Sequence, residues 1–446
     1  MDLSKTYLNS NLENRRKQIL QRQHADRVLR ERKGRRGTVR DQIVAAFDGR
    51  DAGPVSQLLL RNLGTRNRPV KGAAREALRR LFLRVEGQSA LLDEDGFARG
   101  VAQLARFYEQ WVRGPEEWTP RSHNARRQFS SLARHLLARY DVPAFMDAAW
   151  VGDDVDFKLH QQWFVHVGRG ENIRKAPGLP VALTKMMAHH VLLAPDDCTI
   201  NRAVRWGQLR GTGVPERIAR GVLGSRLGNE FFGAEQEQFW GSVFNFFALH
   251  PTIDPNQVGP VIDYLHNQKF VPAGPVNVGG AFVQQGPPQP GLSMKGRTPE
   301  GLVQQVDAWH RQLRRVRRGG GDVAWGSCLI PGYDRIEGEA PNQRRFFIVE
   351  LLGSGELRAE GTAMHHCVGT YAWSCQSGKT AIYSFRADEG TGPYRRLTVE
   401  VDVRRREITE ARGKYNAMPT EVDKRILNAW ATTARLGVGR YAFGFR

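Results

Sequence analysis

The sequence of 446 residues has few cysteines, a shortage of acidic residues and no long apolar run. Its cysteines are Cys198, Cys328, Cys367 and Cys375. They lack CxxC spacing, which argues against a zinc ribbon or a disulfide framework and favours a reducing, cytoplasmic setting. No segment approaches the ~20 consecutive apolar residues of a membrane span, and the N-terminus lacks the apolar core of a signal peptide. We therefore expect a cytoplasmic protein without a membrane partner.

Two phosphate-binding motifs are also missing from the sequence. Neither GxxxxGK followed by Ser or Thr, nor GxGxxG placed after a predicted strand, occurs in it. ATP-driven activity therefore has no support, and the sequence identifies no cofactor. The composition, 40% hydrophobic and 25% charged, is that of a globular protein long enough to bury more than one core.

Positive charge is what the sequence has in excess. Its 66 Lys and Arg residues outnumber 46 Asp and Glu, which leaves a net charge of +20. Such an excess favours contact with nucleic acid, although a solvated, arginine-rich surface explains it as well. Residues 1–40 hold twelve basic and four acidic residues and predict a basic arm that docks on phosphates or, alternatively, a frayed tail. The arm's candidate contacts to nucleic acid are Arg15, Arg16, Lys17, Arg35 and Arg36.

Apolar residues recur at helical spacing between residues 41 and 271. The stripes include Leu78, Leu81, Phe82 and Val85, and later Phe129, Leu132, Leu136 and Leu137. No clear β alternation interrupts them, so this region is predicted as an all-α array, either a solenoid or an irregular bundle. Residues 272–292 are rich in Pro and Gly and predict a linker with little room for helix or strand.

The pattern changes after the linker and predicts a compact α+β domain over residues 293–446. Thr298 and Pro299 suit the first positions of a helix. Apolar and polar residues alternate over residues 397–402, which predicts a half-buried strand. The predicted fold class is therefore multidomain, with an all-α N-terminal helical array followed by a small α+β domain.

The most distinctive segment is Met364-His365-His366-Cys367-Val368-Gly369-Thr370-Tyr371-Ala372. Downstream follow Ser384-Phe385-Arg386, Leu397-Thr398-Val399-Glu400-Val401 and Ala411-Arg412-Gly413-Lys414-Tyr415-Asn416. This ordered set resembles the PcfJ-like family, which is named after a protein of conjugative plasmids and marked by an HCV tripeptide, here His366-Cys367-Val368. The resemblance holds over residues 293–446 and implies a mobile-element setting on a plasmid, an integrated element or a phage.

His365, His366 and Cys367 offer two imidazoles and a thiol to one site. Consecutive side chains diverge in any regular structure, so at most two of the three can serve one small site. The sequence predicts a helix over residues 364–376, with Cys367 in the first turn, where the helix dipole favours a thiolate. On an extended segment His365 would share a face with Cys367, so we favour His365 as the working imidazole.

The candidate catalytic residues are His365, His366, Cys367, Tyr371, Arg386 and Glu400. The candidate nucleic-acid contacts in the same domain are Arg404, Arg405, Arg412, Lys414 and Asn416. The histidines suit acid or base roles on a phosphodiester, and the Cys–His pair suits a nucleophile. A metal site lacks the usual ligand spacing, and we predict none. A packing role for the whole segment is the remaining interpretation.

The leading hypothesis is a nucleic-acid-associated protein of a mobile genetic element, with phosphodiester chemistry at the His-His-Cys site. The first alternative is a non-catalytic scaffold or adaptor whose helical array binds protein partners. The second is a cysteine-dependent modifying enzyme or toxin. Salt-dependent binding of nucleic acid distinguishes the leading hypothesis from the scaffold, and loss of activity on thiol alkylation supports the cysteine enzyme.

Overall fold

The computed structural model describes residues 38–65, 68–151, 157–196, 198–272, 276–278, 281–283, 285–315, 322–339, 343–439 and 442. The chain divides into two compact units, Met1–Pro177 and Gly178–Arg446. The predicted basic arm lies outside the described residues, apart from its last three. Among the described helices, none combines the length and apolar character needed to span a bilayer.

The first unit is helical, as the stripes predict. Its helices are α1 (Val39–Phe47), α2 (Pro54–Asn62), α3 (Gly72–Gln88), α4 (Asp95–Arg106), α5 (Ala125–Leu137) and α6 (Phe157–Gly168). A two-residue hairpin, β1 (Gly64–Thr65) with β2 (Arg68–Pro69), connects α2 and α3. Leu132, Leu136 and Leu137 of the α5 stripe are fully buried, and Asn124 caps that helix by accepting from the Arg127 amide. Helical spacing therefore identified the core-facing side of this region.

The second unit begins with helices and continues into the α+β region. Its helices before the linker are α7 (Lys185–Leu192), α8 (Ile200–Gly211), α9 (Glu216–Gly224), α10 (Ala234–Leu249) and α11 (Pro255–Phe270). A short 3-10 turn, Arg226–Gly228, joins α9 to the segment before α10. Trp240, Phe244 and Phe247 of the aromatic cluster on α10 are buried, so they form core, as their helical spacing favours.

The predicted linker contains a short antiparallel hairpin, β3 (Val276–Val278) with β4 (Ala281–Val283). The sequence predicted little room for helix or strand in this segment, and six of its residues form the hairpin. Three valines on the two strands favour extended backbone, and they outweigh the glycines and prolines around them.

The C-terminal region is built on one six-stranded sheet, and its elements agree with the predicted α+β class. Its elements are α12 (Pro299–Arg315), β5 (Tyr333–Glu337), β6 (Arg344–Glu350), α13 (Ser354–Met364), α14 (Ala372–Gln376), β7 (Thr380–Asp388), β8 (Tyr394–Asp402), β9 (Glu407–Arg412), α15 (Glu421–Ala434) and β10 (Gly437–Val438). Strands β5 to β9 form an antiparallel meander in chain order, and β10 adds to β9 in parallel. Thr298 and Thr420 precede α12 and α15, and Thr420 makes a reciprocal capping box with Asp423.

The two faces of this sheet bury different partners. One face packs against α15, where Leu427 and Trp430 join the apolar side of the alternating strand β8. The other face carries a small apolar cluster that includes Leu357, Val368 and Ile382. The polar residues of β8 therefore point into the side of the sheet that carries the signature segment.

Candidate active site

The signature segment is not one continuous helix, so the prediction of a helix over residues 364–376 was wrong. Helix α13 ends at Met364, and His365 takes a left-handed conformation with φ +55°. His366 is extended, a 3-10 turn runs over Cys367–Tyr371, and α14 follows. A left-handed residue just after a helix reverses the chain direction. The chain direction therefore changes between the two adjacent histidines.

Close packing at Gly361 holds this break in place. The His366 amide donates to the Gly361 carbonyl at 3.2 Å. A Cβ on Gly361 would lie 2.9 Å from the His366 carbonyl oxygen, so any larger residue would displace the signature from α13. The His365 ring stacks on Tyr415, with 4.5 Å between ring centroids. His365 and His366 are thus fixed by separate contacts.

Two rows of residues on β7, β8 and β9 form the floor of a cavity. In one row Ile382 is paired with Glu400, which is paired with Glu410. In the next row Thr398 is paired with Arg412. Side chains that share a face of a sheet lie about 5 Å from their cross-strand partners. Two carboxylates and a guanidinium are therefore gathered on one small patch of sheet.

A β-bulge places the Glu410 side chain on this patch. The register shifts between Glu400 and Val401, so that Val401 is paired with Ile408 while Glu400 is paired with Glu410. Thr409 is the extra residue, and its hydroxyl donates to the Glu400 carbonyl at 3.3 Å. Without the bulge, Glu410 would share the face of buried Ile408, two residues earlier. The bulge therefore creates the carboxylate pair.

The cavity encloses about 510 Å³, part of it open solvent. Its lining combines sheet residues, signature residues and residues of the helical segment. The lining residues are Ser225, Arg226, Asp263, His366, Val368, Tyr371, Ile382, Thr398, Glu400, Glu410, Arg412 and Asn416. It thus joins five predicted catalytic or nucleic-acid-contacting side chains with groups that the sequence did not single out.

The turn after α9 and helix α11 supply one wall of the cavity. Arg226 Nε lies 3.4 Å from Asp263 Oδ1. Asn416 Nδ2 donates to Asp263 Oδ2 at 3.0 Å, which ties the turn after β9 to α11. A Cβ on Gly259 would lie 3.0 Å from Asn416 Nδ2, so the glycine leaves room for this contact. Asp263 therefore orients one cation and one amide around the cavity.

Glu400 holds its proton more tightly than an ordinary carboxyl group. Burial, together with the neighbouring Glu410 charge, raises the pKa of Glu400 to about 7. The positive charge of Arg226 and a hydrogen bond from the Tyr371 hydroxyl, 3.4 Å from Oε2, act in the opposite direction. Glu400 therefore exchanges a proton near neutral pH. Glu410 is paired instead with Arg412, whose Nη2 lies 3.0 Å from Oε1.

His366 is 8% exposed and neutral at pH 7. Burial is the main reason that the pKa of His366 falls to about 4, although the Glu410 charge counteracts it. Its Nε2 has no hydrogen-bond partner within the described part of the chain. A buried ring nitrogen without a partner is costly in an inert core and is typical of a group that awaits a ligand or water.

A buried carboxylate, Glu360, holds the sheet residues next to the cavity. It accepts from Ser384 Oγ at 2.9 Å, Thr398 Oγ1 at 2.9 Å and Arg395 Nε at 2.7 Å. Arg386 Nε donates to the same Ser384 hydroxyl at 3.1 Å. Arg386 is thus part of this support and does not line the cavity. Thr398 connects the support to the lining.

The remaining predicted residues lie elsewhere or outside the described part of the structure. Arg404 and Arg405 are exposed in the turn between β8 and β9, and Lys414 is exposed above the Tyr415 ring at 5.6 Å. The arm residues Arg15, Arg16, Lys17, Arg35 and Arg36 lie outside the described residues. The backbone of Cys367 opens the 3-10 turn, and its side chain is likewise outside the description.

Cys375 lies in an apolar cluster, and the half-buried Cys328 thiol lies 3.2 Å from the Tyr383 hydroxyl. Burial raises the pKa of Cys375 to about 12 and also raises the pKa of Cys328. Neither thiol is a thiolate at neutral pH, and only the thiolate is strongly nucleophilic. Among the side chains that the structure describes, no three His, Cys, Asp or Glu groups are arranged to hold a metal ion.

Ser225, Arg226, Asp263, Thr398 and Glu410 are cavity residues that sequence reasoning missed. Thr398 shares the predicted strand face of Glu400 and was within reach of the alternation. The sequence did not assign Glu410 to this face of the sheet, because the bulge reverses the alternation of β9. No local motif distinguishes the three residues from the helical segment, since they reach the cavity only through tertiary packing.

The comparison with known protein families agrees with the resemblance that the signature segment indicated. Residues 293–427 match the family described as PcfJ-like protein. No curated protein matches the chain, and no solved structure does. The matched segment runs from just before α12 into α15, so it holds the signature and all the strands that form the cavity floor. The predicted resemblance is confirmed over residues 293–427, and this segment of the chain is similar to the PcfJ-like family.

Proposed function

We propose that the second unit is a nucleic-acid-associated module. It carries out general acid–base chemistry on a phosphodiester in the cavity that His366 and Glu400 line. The observation that carries this proposal is the presence, in one cavity, of Glu400 with a pKa of about 7 and of neutral His366. Catalytic acids and bases work best when their pKa values lie near the working pH, and strongly shifted values concentrate at functional sites.

The two groups suit complementary roles. Glu400 in its protonated form donates a proton to a leaving oxygen, and neutral His366 accepts one from an attacking hydroxyl or water. Arg226 and Arg412 are positioned on the same cavity to balance negative charge that develops on a phosphoryl oxygen. Tyr371 holds the Glu400 carboxyl group through its hydroxyl. His366 thus replaces His365 as the favoured working imidazole.

The choice of nucleic acid as substrate rests on charge. The chain carries a net charge of +20, and a protein of this kind binds phosphate backbones through release of counterions. Arg404 and Arg405 form an exposed basic turn at the end of the two strands that hold Glu400 and Glu410. The PcfJ-like domain supports a mobile-element setting and, with it, a cytoplasmic location.

The proposal is tested with the full chain and labelled DNA and RNA strands, with and without divalent cations. We expect salt-sensitive binding by the wild-type protein and cleavage or strand transfer that Glu400→Gln and His366→Gln reduce by about 100-fold or more. The melting temperatures of the same proteins distinguish a loss of catalysis from misfolding. Absence of binding at low salt contradicts the proposal, as does activity that both variants retain.

The same assay separates the alternatives. A scaffold binds protein partners and shows no turnover, whichever cavity residue is changed. A cysteine-dependent enzyme loses activity on thiol alkylation and on Cys367→Ser, whereas the acid–base site retains it. Alkylation that leaves the cleavage rate intact while His366→Gln abolishes it therefore supports the acid–base chemistry.

A further inference from the structure

A second, smaller cavity adjoins the first, and His366 lines both. It encloses about 360 Å³, again partly open to solvent. Helix α12 contributes one lining residue, α13 contributes three, and the signature contributes the rest. The lining residues are His310, Arg358, Gly361, Thr362, His365, His366 and Gly369.

The chemistry of this lining differs from that of the larger cavity. It contains one guanidinium, three imidazoles and a hydroxyl, and no carboxylate. The larger cavity carries Asp263, Glu400 and Glu410 against two arginines. Arg358 is paired with Asp322, whose side chain is 62% exposed and lies outside the lining. The Arg358 side chain is itself only 20% exposed, so the guanidinium is held at the cavity while its partner carboxylate lies in solvent.

An anionic group is the ligand that such a lining suits. Guanidinium and imidazole N–H groups form charge-assisted hydrogen bonds with phosphate oxygens, and an arginine presents a planar fork that matches them. In the larger cavity the two arginines are already paired with Asp263 and Glu410, so less positive charge is left there for a second anionic group. A phosphate that neighbours the reacting phosphodiester is therefore better accommodated on the His310 side of His366, while the reacting group and the proton-transferring groups lie on the other side.

We propose that the smaller cavity, formed by Arg358, Thr362 and His365 with His310, binds a phosphate group of the nucleic-acid substrate beside His366. This inference rests on the proposed function and adds the position of the substrate. It also explains the adjacent histidines of the signature. His365 turns away through its left-handed backbone and contributes to phosphate binding, while His366 remains between the two cavities.

Thr362 provides the sharpest test because its side chain is exposed on α13 and lines the cavity. Thr362→Glu places a carboxylate at the mouth, and Thr362→Gln is its neutral control of similar size. Binding of inorganic phosphate to the full chain is measured by titration calorimetry at constant ionic strength. We expect Thr362→Glu to weaken phosphate binding by about tenfold relative to Thr362→Gln, through like-charge repulsion.

Arg358→Gln is the second variant, with Arg345→Gln as its control. Arg345 is also paired with an exposed aspartate, Asp334, but lies on β6 and lines neither cavity. Arg358→Gln should weaken phosphate binding by about tenfold or more, while Arg345→Gln should not change it. Equal affinity in all four variants overturns the inference.

Competition identifies the source of the phosphate. An oligonucleotide should displace inorganic phosphate at lower concentration than a nucleoside monophosphate does, and the reverse order overturns a nucleic-acid substrate. Failure of this inference is distinguishable from failure of the proposed function. If cleavage depends on Glu400 but Thr362→Glu changes neither phosphate affinity nor KM, the phosphate subsite is rejected alone. If phosphate binds as expected but no turnover occurs, only the catalytic proposal fails.

Discussion

Glu400 and Glu410 lie opposite each other on β8 and β9, on the same face of the sheet, because a bulge at Thr409 reverses the alternation of β9. Two adjacent carboxylates disfavour simultaneous ionisation. Here Arg412 pairs with Glu410, and Glu400 keeps its proton to about pH 7. The bulge, the arginine and burial together give the two carboxyl groups different surroundings.

Replacing Glu400 with Gln should stabilise the protein increasingly as pH rises. The folded-state pKa of Glu400, about 7, lies above its ordinary value of 4.5. Between these values the carboxyl group ionises in the unfolded chain but keeps its proton in the folded one, so the free energy of unfolding falls as pH rises. Below pH 4.5 both states are protonated and the effect is absent. The excess stability of Glu400→Gln over wild type should grow by about 1–3 kcal/mol from pH 5 to pH 8. Urea unfolding at each pH measures it, with exposed Glu421→Gln as a control that should show no trend.

The rate of the proposed reaction should follow a bell-shaped pH profile. Neutral His366 is lost below its pKa of about 4, and protonated Glu400 is lost above its pKa of about 7. The rate should therefore be highest between these values. In the residual activity of Glu400→Gln the alkaline limb should disappear. Retention of that limb in the variant would assign it to another group.

Replacing Glu360 with Ala should destabilise the domain strongly. Its carboxylate is fully buried and accepts from two hydroxyls and from Arg395. Removing one member of a buried ion pair costs about 3–5 kcal/mol, because the partners lose their hydrogen bonds. The matched control is Glu389→Ala, which removes an exposed pair with Arg344 and should cost less than about 1 kcal/mol. Equal unfolding free energies for the two variants would contradict a supporting role for Glu360.

Gly259→Ala and Gly241→Ala should have opposite effects. Both glycines lie within helices, where alanine is favoured by about 1 kcal/mol. A Cβ on Gly241 meets nothing within 4 Å, so this variant should be more stable. A Cβ on Gly259 reaches to 3.0 Å from Asn416 Nδ2 and disturbs the hydrogen bond with Asp263. Gly241→Ala should therefore have the higher melting temperature and the higher activity of the two variants. Equal gains in stability would show that the Asn416 side chain moves aside at no cost.

Binding of nucleic acid should weaken steeply with salt. Each phosphate contact changes the slope of log affinity against log salt by about 0.9 on duplex DNA. Removing residues 1–40 should reduce the slope, and Arg404→Gln with Arg405→Gln should reduce it by up to about two. Filter binding from 50 to 300 mM salt measures these slopes. A flat response in the wild-type chain would favour the scaffold alternative.

Local patterns in the sequence determined the types of element and the family resemblance. The alternation over residues 397–402 predicted β8, Thr298 and Pro299 predicted the start of α12, and apolar stripes predicted the helices of the first unit. These features depend on neighbours within a few residues, since backbone preference and side-chain period are local properties. The HCV tripeptide identified the domain for the same reason.

Tertiary structure alone decided how the cavity is composed. The break at His365 depends on the approach of Gly361 to His366, and the Glu400–Glu410 pair depends on a register shift that no alternation reveals. Arg226 and Asp263 reach the cavity from helices more than a hundred residues before the signature. The pKa values of Glu400 and His366 follow from burial and from charges brought near by folding, and a linear sequence contains neither distance nor burial.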